Sequence, residues 1–360
     1  MTTNMRREIG ETPSVVARIL EAVPAEARVV AGAIRAASPQ FVAIVARGTS
    51  DHAGTYARYL VETHLGIVAG MVAPSVTTVY GARLCWQDTL LLAYSQSGQS
   101  PDIREVTEAA RAGGALTVAI TNDPSSPLAG AAAHVLPCHA GEERSVAATK
   151  TYVAELGAVA ALIGELAPET PLARAMPATP DAIAAAMREG DAWLDRQQAL
   201  LAALAVADRA LVVSRGFNYA TALEVALKLK ETSRIFADGY STADLLHGPV
   251  TLAGPRVPLL VFRPDGPMGR GLDTDLERAV AGGTRPWYVG GRELRSGTVP
   301  GTAGRNDPEA QEPLVLDNLP EALTPLTYVI PGQLVAEAVA RRRGLDPDAP
   351  AGLSKVTLTT

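Results

Sequence analysis

Apolar residues in this chain fall into short runs, separated by longer stretches in which they recur every three or four positions. That is the signature of buried strands alternating with helices. Runs at 41–46, 67–72, 89–94, 116–121 and 134–138 predict five strands. A helix is expected after Arg47-Gly48-Thr49-Ser50 to about residue 65, another from Pro101, and a long Ala-rich one over 147–166. Ahead of them, 14–23 and 25–37 read as two helices broken at Pro24, because proline removes a helix hydrogen bond. Residues 167–181, with Pro168, Pro171, Pro177 and Pro180, read as a linker, and a helix containing Trp193 follows. Then the pattern restarts: a strand at 209–214, the turn Arg215-Gly216, a helix at 218–233, strands at 257–262, 286–289 and 314–316, and a closing helix at 326–343.

The restart is a repeat. Ala43-Ile44-Val45-Ala46-Arg47-Gly48 and Ala210-Leu211-Val212-Val213-Ser214-Arg215-Gly216 each end an apolar strand in Arg-Gly and open a helix. Strands that are apolar throughout, alternating with helices, belong to parallel sheets covered on both faces. The expected fold class is therefore α/β, with two doubly wound, flavodoxin-like parallel-sheet domains related by duplication. The expected boundaries are a helical segment at 1–40, domain 1 at 41–166, linker and helix at 167–206, domain 2 at 207–344, and a tail at 345–360. Ligands of such sheets bind beyond the carboxyl ends of the strands, where Thr49-Ser50 and Ser95–Ser100 both fall and can converge.

Composition narrows the class. At 360 residues the chain accommodates two cores, and 47% hydrophobic with 19% charged residues fits a globular protein. A net charge of −6 argues against general affinity for nucleic acid or anionic membranes, so any anion site must be local. Two cysteines, Cys85 and Cys138, have no metal-ligand spacing and form no disulfide framework. With no signal-peptide pattern and no apolar run of membrane-spanning length, the expected location is the cytoplasm. Basic residues are nearly all arginine, and the only lysines are Lys150, Lys228, Lys230 and Lys355. Lysine retained at so few positions suggests places that need a compact or deprotonatable amine.

The strand at 89–94 runs into Ser95-Gln96-Ser97-Gly98-Gln99-Ser100, and Pro101 then stands at a favoured first helical position. Hydroxyls, a glycine that lets main-chain N–H groups approach, and a helix N-terminus make an anion site. Lacking Gly-Lys-Ser/Thr, the loop is no nucleotide P-loop and suits one phosphate monoester, such as a sugar phosphate. Taken alone, it is also consistent with a plain serine-rich turn. Glu224, Lys228 and Glu231 are spaced four and three apart and share one helix face, either as a site or as a solvated ion-pair stripe. His247 lies in the turn Asp244-Leu245-Leu246-His247-Gly248-Pro249, and Lys355 in the C-terminal segment, where fraying is the default.

Together these segments resemble the sugar-isomerase (SIS) family, in particular the double-SIS isomerase half of glutamine:fructose-6-phosphate amidotransferases. The matching stretches are 46–53, Ser95–Ser100, 143–150, 222–233, His247-Gly248-Pro249 and 353–357, and the lead-in 7–13 resembles the start of that half. The resemblance implies that Ser50, Ser95, Gln96, Ser97 and Ser100 hold a sugar phosphate and that Thr49 lines the loop. Val146 and Ala147 would meet the sugar through the main chain, and Glu143 and Glu224 would count among the substrate-binding residues. It further implies that His247, contributed across a homodimer interface, opens the pyranose ring. Glu231 would move a proton between C1 and C2, Lys228 would assist at the oxygens, and Lys355 would bring the tail over the substrate. No cofactor and no metal are expected.

The amidotransferases begin with a cysteine nucleophile in a glutaminase domain, whereas Met1-Thr2-Thr3 here leads directly into the SIS part. The expectation is therefore chemistry on an amino-sugar phosphate already made, as in SIS-type glucosamine-6-phosphate deaminases, giving fructose 6-phosphate and ammonia. Asp238 and Asp244 stand where the synthases favour glutamate, and Leu246 precedes His247 in place of lysine. The alternatives are dehydration of N-acetylglucosamine 6-phosphate, and a deglycase or isomerase of another phosphosugar. A non-catalytic phosphosugar sensor is a further option, although the residues before Phe41 are too few and too weakly basic for a helix-turn-helix domain.

Overall fold

A computed structural model describes residues 2–296, 299–301, 311–316 and 319–355. The chain forms two compact units. One comprises Glu11–Glu143, Ala148–Pro180 and Ser354–Thr360; the other comprises Met1–Gly10, Arg144–Ala147 and Asp181–Leu353.

The first unit contains β1 (Phe41–Val45), β2 (Val68–Met71), β3 (Thr89–Tyr94), β4 (Leu116–Thr121) and β5 (His134–Pro137), all parallel, in the order β2-β1-β3-β4-β5. Alternate side chains of β1, β3 and β4 pack against helix Pro101–Ala112 on one face, in a cluster that includes Val45, Leu91, Ile103 and Val106. Helices Thr49–His64 and Lys150–Leu166 pack on each other in the same unit. The central strand β3 is buried at every position, which is why it reads as an unbroken apolar run.

The second unit contains β6 (Arg209–Ser214), β7 (Phe236–Ser241), β8 (Leu259–Arg263), β9 (Pro286–Gly290) and β10 (Leu314–Val315). Its order, β10-β9-β8-β6-β7, is the same winding as in the first unit. The duplication extends to the turns. Gly48 and Gly216 both have positive φ, which the Arg-Gly turns require. Arg47 pairs with Asp102 at 3.0 Å and Arg215 with Asp275 at 2.9 Å, in each case on the helix after the unit's third strand. The fold class is as expected, two parallel α/β sheets related by duplication.

Three local expectations change. Residues 4–37 form one helix, Asn4–Ala37, with Pro13 and Pro24 inside it. The buried stripe Val16, Ile19, Val23, Ala27, Val30 and Ile34 stays in phase across Pro24, so burial outweighs the lost hydrogen bond. The proline-rich segment holds helix Pro171–Ala175 and the start of Thr179–Arg196, with prolines in first turns, where a missing N–H costs little. Strand β7 was not read as one because Asp238 and Gly239 interrupt it. It is an edge strand, and a Cβ on Gly239 would lie 2.8 Å from the backbone of Leu223 in helix Tyr219–Ser233.

Candidate functional site

In the first unit the chain leaves β1 and β3, neighbours in the sheet, toward opposite sides. This is the switch point at which doubly wound sheets bind ligands. Ser95–Ser100 follows β3, and Ser100 stands just before helix Pro101–Ala112. The loop's tight shape depends on Gly98: its φ is +64°, and a Cβ there would collide with the Ser126 side chain. The Ser95 hydroxyl accepts the Gly98 N–H at 3.1 Å and lies 3.4 Å from the Ser100 hydroxyl, and Ser97 Oγ accepts the Gln99 N–H at 3.3 Å. Because Ser97 serves the loop as an acceptor, its own proton remains available to an anion, as does one of the two protons of the Ser95–Ser100 pair. The Gln96 carbonyl accepts the Asn122 N–H at 3.0 Å, which fixes the loop against the end of β4.

Thr49 and Ser50 begin the helix after β1. Ser50 is buried, and its hydroxyl donates to Glu155 Oε1 at 2.7 Å. In this structure its single proton is therefore directed at a side-chain carboxyl oxygen. Arg47, half exposed, is tied by Nε to Asp102, a group that pattern reading did not single out.

Glu143 is buried. Its carboxylate accepts from the main chain of Thr149 (2.9 Å) and Thr151 (3.2 Å), from the Thr151 hydroxyl (2.7 Å) and from Lys355 Nζ (2.6 Å). Burial would raise this carboxyl, but the Lys355 ammonium and the threonine donors outweigh it and hold it below the usual value. Glu143 thus organises its own loop and anchors the tail, and the helix expected from residue 147 starts at Lys150. Lys355 is a tether in this arrangement. Lys150, also buried, donates to Glu11 and to the Glu142 carbonyl, both at 2.6 Å, while Lys230 is exposed.

In the second unit, helix Tyr219–Ser233 packs on helix Pro325–Arg342 and carries Glu224, Lys228 and Glu231. Lys228 Nζ lies 3.2 Å from Glu224 and 2.6 Å from Glu231; Lys228 and Glu224 are 0% exposed and Glu231 21%. This is no solvated stripe. Burial would lower the Lys228 amine, but the two carboxylates outweigh it, so the ammonium is held well above its usual range. Lys228 is positioned to hold Glu231, whose carboxylate keeps partial access to solvent.

His247 is exposed and ends the short helix Thr242–Leu246. Leu245 of that helix packs with Leu211 and Val213 on one face of the sheet. Helix Tyr219–Ser233 lies on the other face, where Val225 meets Phe262 and Gly332. Within one chain, then, the fold puts Glu231 and His247 on helices of opposite faces. Val146 gives its N–H to the Asp348 carbonyl at 3.0 Å, which leaves its own carbonyl for contact, and Ala147 is buried. Among the described residues no cluster of three or more His, Cys, Asp or Glu could hold a metal ion, and no helix is long and apolar enough to cross a membrane.

The SIS domain family model matches residues 38–164 and 203–268, one stretch in each sheet. The chain belongs to the SIS domain family. Over 98% of its length this SIS protein is 33% identical to the isomerizing glutamine–fructose-6-phosphate aminotransferase of Zymomonas mobilis, of which it covers 58%. The chain thus spans just over half the length of that curated relative. A protein from Silicibacter pomeroyi described as a phosphosugar isomerase is 38% identical in its crystal structure, with a TM-score of 0.82 over 96% of this chain and all of that one. The C-terminal domain of glucosamine–fructose-6-phosphate aminotransferase from Francisella tularensis shares the fold, with a TM-score of 0.85 at 23% identity over 97% and 99% of the two chains.

Glu155 is the clearest omission of the sequence reading. The signal was there: it is the one charged residue between Lys150 and Glu165 on an otherwise apolar helix. Such a residue needs a partner.

Proposed function

We propose that this SIS protein acts on a hexosamine 6-phosphate by ring opening and proton transfer between C2 and C1, releasing fructose 6-phosphate and ammonia. Ser95, Ser97 and Ser100 bind the phosphate. Glu231 takes the C2 proton of the ring-opened sugar, and the electrons move to the C1 oxygen. That oxygen takes a proton from solvent, and return of the C2 proton to C1 draws the nitrogen lone pair into a C2–N double bond; loss of one N–H proton to solvent leaves an imine, which water hydrolyses to the ketone and ammonia. A carboxylate must reach both carbons for this transfer.

The observation that carries the reading is the Glu224–Lys228–Glu231 cluster. A fully buried ammonium fixes a carboxylate that still opens to solvent, as a positioned general base requires. The names of the relatives, an isomerizing aminotransferase and a phosphosugar isomerase, point to the same class of chemistry. In a homodimer, His247 of one subunit serves the Glu231 of its partner, and the opposite-face placement of the two within one chain supports that reading.

The test is Glu231→Gln, assayed for ammonia release and for exchange of the C2 proton with deuterated solvent on glucosamine 6-phosphate. Turnover and exchange should both fall by about 10²–10⁴-fold while the ligand still binds. Exchange at the parental rate would remove Glu231 from the mechanism. If the parental protein changes N-acetylglucosamine 6-phosphate by loss of water and leaves the free amine untouched, the reaction is the dehydration.

A further inference from the structure

Asn122 is the first residue after β4, the strand that lies between β3 and β5 in the first sheet. It bonds to the segments that follow both neighbours. Its N–H donates to the Gln96 carbonyl in the serine loop after β3, at 3.0 Å. Its side-chain amide serves the segment after β5: Oδ1 accepts the Ala140 N–H and Nδ2 donates to the Gly141 carbonyl, both at 2.8 Å. An N–H needs the amide oxygen and a carbonyl needs the amide nitrogen, so the side chain fits this pair in one orientation.

The segment that the amide holds is bent against its own preference. His139 has a φ of +48° and Gly141 one of +70°, on either side of buried Ala140. A histidine in the left-handed region is strained, and such a turn persists where its surroundings hold it. Arg18 Nε reaches the His139 carbonyl at 3.3 Å, a longer bond than either of the two made by the Asn122 amide. Beyond the turn, the Glu142 carbonyl accepts from Lys150, and the Glu143 carboxylate accepts from Thr149 and Thr151.

We propose that Asn122 is a positioning residue for the phosphosugar. It fixes the spacing between the serine loop, which takes the phosphate, and the segment 140–143, which runs in sequence into Val146 and Ala147, the residues that meet the sugar. The inference rests on the phosphosugar reading given above. Two anchors at a set spacing favour a ligand whose phosphate and hydroxyl ends match it. Deleting the Asn122 side chain leaves its N–H on Gln96, and the serine loop is also held where the Leu128 N–H meets the Gly98 carbonyl at 3.1 Å. What is lost is the hold on residues 140 and 141. The contacts affected are therefore those to the sugar and not those to the phosphate.

The experiment compares D-glucitol 6-phosphate, an open-chain probe that cannot isomerise, with inorganic phosphate, which needs the serine loop alone. Both are titrated by calorimetry. In Asn122→Ala the affinity for glucitol 6-phosphate should fall about five- to tenfold, the worth of roughly one neutral hydrogen bond, while that for inorganic phosphate stays within about twofold. Arg111→Ala is the control for lost stability: Arg111 donates to the Ala131 and Ala132 carbonyls of the same unit at 3.2 and 3.1 Å, and its removal should leave both affinities unchanged. Should Asn122→Ala not fold, Asn122→Gln, whose amide is displaced by one methylene and cannot match both partners, should show the same selective loss. Unchanged affinity for glucitol 6-phosphate, or equal loss for the two ligands, overturns the role of Asn122 alone. A parental protein that binds glucitol as tightly as glucitol 6-phosphate overturns the phosphate site itself, and this inference with it.

Discussion

Replacing Lys228 with methionine keeps the side-chain stem and deletes one buried charge between two carboxylates. Glu224 is wholly buried and Glu231 largely so, with ion-pair distances of 3.2 and 2.6 Å. Removing one partner of a buried, hydrogen-bonded pair costs about 3–5 kcal/mol, because the remaining charge stays desolvated and uncompensated. For a unit of this size, that should lower the melting temperature by roughly 6–20 °C. Glu224→Gln added to Lys228→Met removes the uncompensated charge and should restore part of the loss. The pH dependence has a definite sign. The Lys228 amine is raised above its unfolded value, so its contribution is complete below the ordinary lysine range and declines only as pH rises through the folded value. Melting of the parental protein should therefore not change on its account between about pH 6 and 9. In Lys228→Met, by contrast, the deficit should shrink toward acid as the orphaned carboxylates take up protons. The assay is melting followed by circular dichroism at several pH values. A Lys228→Met variant melting within about 1 °C of the parent at neutral pH would refute the account of this cluster as a buried, mutually dependent triad.

Three further outcomes are expected. Ser97→Ala should weaken phosphosugar binding by roughly one to two orders of magnitude, the value of one charge-assisted hydrogen bond, and leave the unphosphorylated sugar unaffected; calorimetry with both ligands decides it. Mixing Glu231→Gln with His247→Ala subunits should restore activity, since one hybrid site has both residues intact, and an absence of rescue after verified subunit exchange would assign His247 to its own chain or to no site. Lys355→Ala should free the tail for proteolysis about fivefold faster, a modest figure because Lys355 is partly exposed. The parental tail should loosen in the same way only as pH falls through the lowered Glu143 value, below the usual carboxylate range, because a depressed carboxyl stabilises above that value and not beneath it.

The parts of the fold that were legible from sequence share a physical cause. Central strands such as β3 are buried on both faces, so composition alone marks them. The β3 loop announced itself because only glycine fits at residue 98, wedged against Ser126 with positive φ. What was not legible depended on partners distant in sequence. Helix Asn4–Ala37 survives Pro24 because its stripe is buried, and β7 is a strand because β6 lies beside it across the full register. The start of helix Lys150–Leu166 is delayed because Glu143 captures the N–H groups of Thr149 and Thr151. At the site, residue types singled out the serine loop after β3 and the Glu-Lys-Glu face as candidates. They could not reveal that Ser50 is committed to Glu155, that Lys355 is held by Glu143, or that Lys228 is sealed from solvent.

The second sheet differs from the first at the strand end where the serine loop stands. Its third strand, β8, also ends in a loop before a helix, Gly266–Ala281, but the loop reads Arg263-Pro264-Asp265-Gly266 in place of serines. The Asp265 carboxylate accepts the N–H groups of Arg292 and Glu293 at 2.9 and 3.0 Å, and buried Arg263 is paired with Asp273 and Glu293. Beyond this strand end the chain thus places a carboxylate of its own, bound to the N–H groups that follow β9, and its negative charge disfavours an external phosphate there. The candidate chemistry of the second unit has moved to helix Tyr219–Ser233, after the first strand. Its Glu-Lys-Glu cluster needs no free strand end, only a buried helix face on which an ammonium can be enclosed. On the proposed reading one winding order serves two different tasks, because function follows the side chains at each strand end and not the topology that places them.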